Sequence, residues 1–260
     1  MTCHITDFID MHCHILPGVD DGPADLAQST TLAQIYTQAG IAAVVATPHF
    51  LPGTSWATPA ATVHRLVDEL QHHLNQLSIP LRVMAGMEIA FHRKLEQRLR
   101  AGDVLPLADS SYYLIEPAFQ GDQGECVSLL TALQLDGFHF ILAHPERIEG
   151  FQQSPHLLGQ LAEQGVLLQV NTGSLLGRFG STCHRIAAEL KEQGHLHFLA
   201  SDAHDAARRG PLTATDWQQI LELPGGPELL HRCCQNSARL IFATDDQAPH
   251  DPSLFRNQQP

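Results

Sequence analysis

Short apolar runs rich in β-branched residues alternate along the chain with longer stretches of helical period. The runs are Phe8–Met11, Ala42–Ala46, Leu81–Ala85, Tyr112–Ile115, Phe138–Ala143, Val166–Val170 and Leu196–Ala200. Helical candidates cover 24–39, 58–77, 92–101, 124–135, 155–164 and 181–193, with two more near 211–222 and 226–242. Gly40, Gly137, Gly165 and Gly194 each stand between a helical stretch and the next run, where a left-handed C-cap is expected. This alternation predicts an α/β fold on parallel strands. No repeat or linker interrupts it, so a single domain over 1–243 is expected. The stretch 244–260 has too little apolar content to pack and is expected to be a flexible tail.

The residues that follow the apolar runs are as regular as the runs. In order they are His12 and His14, Thr47-Pro48-His49, Glu88, Glu116, His144-Pro145-Glu146-Arg147, Asn171, and Ser201-Asp202-Ala203-His204. In a barrel of parallel strands these ends converge on one face, where such folds keep their chemistry. Strands leaving a core through arbitrary polar residues would end on Ser, Lys and Thr as well. Here six of the seven ends carry His, Asp or Glu.

Those residue types can hold metal. His12-x-His14 puts two imidazoles two residues apart, and residues i and i+2 of a strand point to one face. By itself the pair is weak, but Pro17-Gly18-Val19-Asp20-Asp21-Gly22 follows and presents two carboxylates beside it. Turn and N-cap chemistry accounts for one of the two. Asp202-x-His204 repeats the spacing at the last run. Glu88, in Gly86-Met87-Glu88-Ile89, and Glu116, after Tyr-Tyr-Leu-Ile, sit among apolar neighbours and need a proton, a cation or a metal. His49 and His144 each adjoin a proline that stiffens the backbone aiming the ring.

His12, His14, Asp21, His49, Glu88, Glu116, His144, Asp202 and His204 make nine candidate ligands. One ion takes about four to six, so the set suits two or three ions with bridging carboxylates. Clustered ions suit displacement at phosphorus, because they lower the pKa of a shared water towards about 7 and clamp the attacking and leaving oxygens. Arg147, three residues after His144, offers a fork for a phosphoryl oxygen, although such an arginine is often only a surface ion pair.

Composition narrows the partners. The 260 residues are 43% hydrophobic and 17% charged, with a formal net charge of -13, and no basic stripe fits a nucleic-acid backbone. Histidine, at 17, outnumbers lysine and arginine together at 15. No apolar run approaches the ~18 residues of a membrane span, so no membrane insertion is expected. Six cysteines without a CxxC pair, and no signal-peptide pattern, suit a reducing cytoplasm. Cys233 and Arg239 fit a bare Cys-x5-Arg spacing. The residues between them contain no glycine and continue a helical period, unlike a phosphate-cradling loop.

Taken together, Asp-Met-His-Cys-His-Ile-Leu-Pro-Gly-Val-Asp-Asp-Gly, Ala-Thr-Pro-His, Gly-Met-Glu-Ile, Leu-Ile-Glu, Ala-His-Pro-Glu-Arg and Ala-Ser-Asp-Ala-His resemble the bacterial metal-dependent protein-tyrosine phosphatases. These belong to the polymerase-and-histidinol-phosphatase (PHP) superfamily and accompany capsule or exopolysaccharide operons. The resemblance runs from about Phe8 to Pro211. It implies a distorted (β/α)7 TIM-like barrel with three divalent ions, usually Mn2+, with Fe, Zn or Mg as other occupants of such a cage.

Carried over by position, His12 and His14 would share one ion with Glu88 and Asp202. Glu88, Glu116 and His144 would bind a second, and Asp21, His49 and His204 the third, making Asp21 the ligand rather than Asp20. Arg147 and Arg209, the latter preferred to Arg208, would hold the phosphate. The implied reaction is in-line attack of a metal-bridging hydroxide on a phosphotyrosine of a membrane-associated bacterial tyrosine kinase. Pro117-Ala118 stands where the family has Phe after the glutamate, and Asp205 where it has Asn; both bear on substrate preference. Two alternatives stay open: a small-molecule PHP phosphatase for histidinol phosphate or a sugar phosphate, and a non-catalytic metal-holding interaction module.

Overall fold

A computed structural model describes residues 4–242; the tail expected over 244–260 lies outside the described residues. Nine parallel strands alternate with helices. The strands are β1 (Ile9–Cys13), β2 (Ala43–Ala46), β3 (His49–Phe50), β4 (Arg82–Ala85), β5 (Glu88–Ala90), β6 (Tyr112–Glu116), β7 (His139–Ala143), β8 (Leu167–Asn171) and β9 (Phe198–Ala200). The helices are α1 (Leu26–Ala39), α2 (Ala60–Gln76), α3 (Leu95–Ala101), α4 (Gly124–Leu135), α5 (Glu149–Gln153), α6 (His156–Glu163), α7 (Thr172–Leu175), α8 (Ser181–Glu192), α9 (Ala214–Glu222) and α10 (Gly226–Phe242).

All seven sequence-predicted strands are present, and two of them are followed at once by a further short strand that the sequence did not show. Thr47-Pro48 separates β2 from β3, and Gly86-Met87 separates β4 from β5. Pro48 brings no backbone donor to the ladder. At Gly86 a Cβ would lie 2.9 Å from Val45 Cγ1 and 3.0 Å from Leu107 Cδ2, so only glycine fits. The breaks divide the ladder into a three-stranded sheet, β1-β2-β4, and a six-stranded sheet, β3-β5-β6-β7-β8-β9. Beyond β9 the chain returns to β1: Asp202 N–H donates to His12 O (2.9 Å), and His14 N–H to Ala203 O (2.8 Å). The seven strand positions therefore run round in chain order as a distorted α/β barrel.

Two apolar clusters fill it. The larger lies between strands and helices, where α2 sets Val63, Val67, Leu70 and Leu74 along one buried stripe. Each such fully buried aliphatic side chain contributes about 1.5–3 kcal/mol. The smaller gathers Met11, Val45, Met84, Leu114, Ile141, Leu167 and Phe198 from the strands, with Leu240 of α10 packed against them. All four sequence-predicted cap glycines have the left-handed backbone, with φ of 93° at Gly40, 89° at Gly137, 97° at Gly165 and 76° at Gly194. The short α5 and α7 were not legible in the sequence, because helices of five and four residues show no period.

Cys233 is fully buried inside α10, away from any loop, and no disulfide joins the five cysteines among the described residues. No helix of the described residues is long and apolar enough to cross a membrane.

At the start of α9, Thr213 and Asp216 form a capping box, and Arg178 reaches both oxygens of Asp216. Burial opposes ionisation of Asp216, but Arg178 and Thr213 outweigh it and lower its pKa below 3.8. Asp216→Ala is expected to cost about 1–2 kcal/mol in urea unfolding. A lowered folded pKa gives stability that is present above the unfolded value and lost as pH falls through the folded one. The gap between wild type and Asp216→Asn should therefore narrow below about pH 4.

Candidate metal centre

The strands deliver the nine candidate ligands to one end of the barrel. β1 carries His12, but its pairing with β2 slips between Asp10 and Cys13. Met11 packs in the inner cluster while His12 next to it meets Gln169 and Glu88. His14 lies just past the end of β1, where its N–H donation to Ala203 O continues the pairing, and the two rings meet as the i, i+2 spacing predicts. β3 brings His49 level with Glu88 of β5, and Glu116 ends β6. His144 and Asp202 follow β7 and β9 with φ of 30° and 55°. That left-handed backbone is rare for such residues and costs on the order of 1–3 kcal/mol each. It falls at the two positions where the chain must turn a ligating side chain off the end of a strand.

All nine fall into four overlapping groups whose ligating atoms lie within 4.8 Å of one another. These are His14, Asp21, His49 and His204; His12, Glu88 and His144; His12, His14 and Asp202; and His49, Glu88 and Glu116. Glu88, wholly buried, is the hub. Its Oε1 is 3.3 Å from His12 Nε2 and 2.9 Å from His144 Nε2, and its Oε2 is 3.3 Å from His14 Nε2 and 2.9 Å from His49 Nδ1. Asp202 Oδ1 lies 3.6 Å from His12 Nε2 and 3.5 Å from His14 Nε2.

Hydrogen bonds from behind aim two of the rings. His12 Nδ1–H donates to Gln169 Oε1 (2.9 Å) and His14 Nδ1–H to Asp20 Oδ2 (2.8 Å). Gln169 also donates from Nε2 to Asn171 Oδ1 (2.9 Å), which fixes its amide orientation. His12 Nε2 and His14 Nε2 face each other at 3.3 Å with no exposed surface, beside two buried carboxylates. Burial opposes charge on both rings, but Glu88 and Asp202 raise the pKa of His12, and Asp20, Asp202 and Glu88 that of His14, so positive charge belongs here, carried by protons or by a metal ion. Glu88 Oε2 and Asp202 Oδ1 are buried there without a hydrogen-bond partner. The donor set of imidazoles oriented from behind and hard carboxylates fits divalent ions.

The electrostatics agree. Burial opposes ionisation of Glu88, but His12 and His49 hold its pKa well below the usual carboxylate range. Asp202 is also low, burial being outweighed by His12, His14, His144 and Arg209. Burial opposes charge on His49, yet Glu88 and Asp21 raise its pKa to about 10. Burial and the Glu88 charge push Glu116 up to about 8. Protons on these rings and metal ions compete for the same lone pairs.

The two acidic neighbours part roles. Asp20 accepts from His14, from His49 N–H (3.0 Å) and from Gly22 N–H (3.0 Å), so its oxygens are spent within the protein. Gly22 permits that turn, since a Cβ there would sit 2.4 Å from His14 O. Asp21 instead points Oδ1 at His204 Nε2 (3.1 Å) and His49 Nε2 (3.4 Å).

Arg147 and Arg209 converge on Asp202 Oδ2, at 2.8 and 2.7 Å, and are only partly exposed, whereas Arg208 is exposed. Asp205 accepts from Ala207 N–H (2.6 Å) and Arg208 N–H (2.5 Å), shaping the loop that carries Arg209.

Several residues here carried no notice from the sequence. Gln169 orients His12, and its signal was a polar residue inside Leu167-Leu168-Gln169-Val170. Asp10, wholly buried behind the centre, accepts from Tyr36 OH (2.8 Å), Ser201 N–H (3.0 Å) and Ser201 Oγ. Trp56 stacks on His49 (5.3 Å, 10°) and Phe119 on His144 (5.9 Å, 27°).

Comparison with known proteins gives the same picture. Residues 8–241 match the family model described as capsular polysaccharide synthesis, CpsB/CapC. Tyrosine-protein phosphatase YwqE of Bacillus subtilis is 38% identical over 233 residues, covering 90% of this chain and 91% of its own. A chain from the crystal structures of YwqE from Bacillus subtilis and CpsB from Streptococcus pneumoniae, described as unique metal-dependent tyrosine phosphatases, superposes with a TM-score of 0.84 at 36% identity, covering 90% and 94% of the two chains. A β-aspartyl dipeptidase from Fervidobacterium islandicum AW-1, at 16% identity and a TM-score of 0.55 over 90% of this chain and 72% of its own, shares the fold alone. With its barrel, its clustered imidazoles and carboxylates and these relatives, the chain belongs to the CpsB/CapC family of capsular polysaccharide synthesis.

Proposed function

We propose that this protein is a metal-dependent phosphomonoesterase that hydrolyses phosphotyrosine, its substrate a membrane-associated bacterial tyrosine kinase of capsule or exopolysaccharide synthesis, met in the cytoplasm. The described residues act as one catalytic domain. The observation that carries this reading is the pair of imidazole nitrogens of His12 and His14, 3.3 Å apart among buried carboxylates, with two arginines beside them.

Residues His12, His14, Asp21, His49, Glu88, Glu116, His144, Asp202 and His204 would hold up to three ions, manganese for preference. Such ions supply an activated water at neutral pH and positive charge for the phosphoryl oxygens. Arg147 and Arg209 pass from Asp202 to the non-bridging phosphate oxygens, presenting forked donors where negative charge builds. Gln169 and Asp20 keep the His12 and His14 rings aimed by holding the rear nitrogens protonated. The leaving tyrosine has a pKa near about 10, so it departs with little general-acid help.

Phosphate release from a phosphotyrosine peptide should fall more than about 100-fold after chelation and return with Mn2+. Elemental analysis of the purified protein should find bound divalent metal. Activity should persist in Cys233→Ser, whose thiol is buried in α10. Chelator-insensitive turnover, or faster turnover of histidinol phosphate than of the peptide, would sink the reading.

A further inference from the structure

Phe119 is a large apolar side chain left 43% exposed at the mouth of the centre. Its loop is fastened there. Glu149 N–H donates to Phe119 O (2.9 Å), and Gln123, 3% exposed, donates from Nε2 to Ala118 O (3.1 Å) and Gly121 O (3.2 Å). Gly150 lets this loop close in, since a Cβ there would lie 2.3 Å from Gly121 O. One face of the Phe119 ring stacks on His144. The Arg147 guanidinium carbon lies 5.6 Å from the Phe119 ring centre and 4.8 Å from that of Phe179. Arg147 is thus bracketed by two rings while its edge donates to Asp202.

We infer that Phe119 is a specificity-determining residue that favours aromatic phosphate esters over alkyl ones. The inference rests on the phosphatase reading above. A phosphoryl group taking the Arg147 fork carries its ester group alongside the Phe119 ring. An aryl group meets that ring in offset or edge contact and covers exposed apolar surface, while a small alkyl group leaves it bare. Pro117-Ala118 separates the ring from Glu116, and the Gln123 hydrogen bond to Ala118 O holds the loop on which Phe119 stacks over His144.

The test compares phenylphosphonate with methylphosphonate as competitive inhibitors of the metal-loaded enzyme, which reads binding without a leaving group. Wild type should bind the phenyl compound about tenfold more tightly. That ratio should fall towards one in Phe119→Ala and Phe119→Leu and stay high in Phe119→Tyr, with metal content unchanged. An unchanged ratio in Phe119→Ala overturns the inference. So does an equal weakening of both inhibitors, which would mean that Phe119 acts only by seating Arg147. Turnover of phosphotyrosine peptide by the wild type checks the underlying reading separately. A collapsed ratio with no peptide turnover would keep the aromatic wall and discard phosphotyrosine as the substrate.

Discussion

Glu88→Gln is expected to lower kcat/KM on phosphotyrosine peptide by at least about 1,000-fold, because its wholly buried carboxylate is shared by four imidazoles, two of them at 2.9 Å. An amide of the same shape keeps one oxygen but sets an NH2 group against imidazole lone pairs, so it removes charge and ligating capacity together. The variant should also bind less metal by elemental analysis. Ions that bind only the folded state raise its stability by mass action. A chelator should therefore lower the melting temperature of the wild type clearly and that of Glu88→Gln hardly at all. Wild-type metal content and turnover in the variant would contradict the assignment of Glu88 as the hub.

Much of this architecture was legible because its signals are periodic. Runs such as Tyr112–Ile115 and Phe138–Ala143 announce strands by β-branched and aromatic content, and Gly40 or Gly165 marks a helix end by the backbone it alone adopts easily. The breaks after Ala46 and Ala85 were not legible. Pro48 and Gly86 look like ordinary strand ends, and only the fold shows Val45 and Leu107 crowding the place of a Gly86 side chain.

The candidate ligands were readable because strand ends of a barrel converge, so a His or Glu after each run has a place to go. What holds them was not. Gln169 is 157 residues from His12, and Asp10 is 191 from Ser201, so no local pattern joins either pair. The slip in β1 pairing with β2 between Asp10 and Cys13 also left no mark in the sequence. Hydrogen bonding distinguishes Asp20 from Asp21. Asp20 spends its oxygens on His14, Gly22 and His49, and Asp21 keeps one turned to His204.

Arg147→Ala and Arg209→Ala are each expected to cost about 100-fold in kcat/KM, the usual penalty for losing one preorganised donor at developing charge. Both donate to the same oxygen, Asp202 Oδ2, which also accepts from Asn171 Nδ2 at 2.9 Å. Removing one arginine therefore leaves Asp202 still paired, and the melting temperature should move little. Lysine at 147 keeps the charge but loses the planar fork and the bracket between Phe119 and Phe179, so Arg147→Lys should recover only part of the loss. In the proposed reading the two arginines grip one phosphoryl group together. The double variant should then fall well short of the product of the single losses. A fully multiplicative double loss would mean that the arginines act on separate steps, and an unaffected Arg209→Ala would hand the phosphate to Arg147 alone.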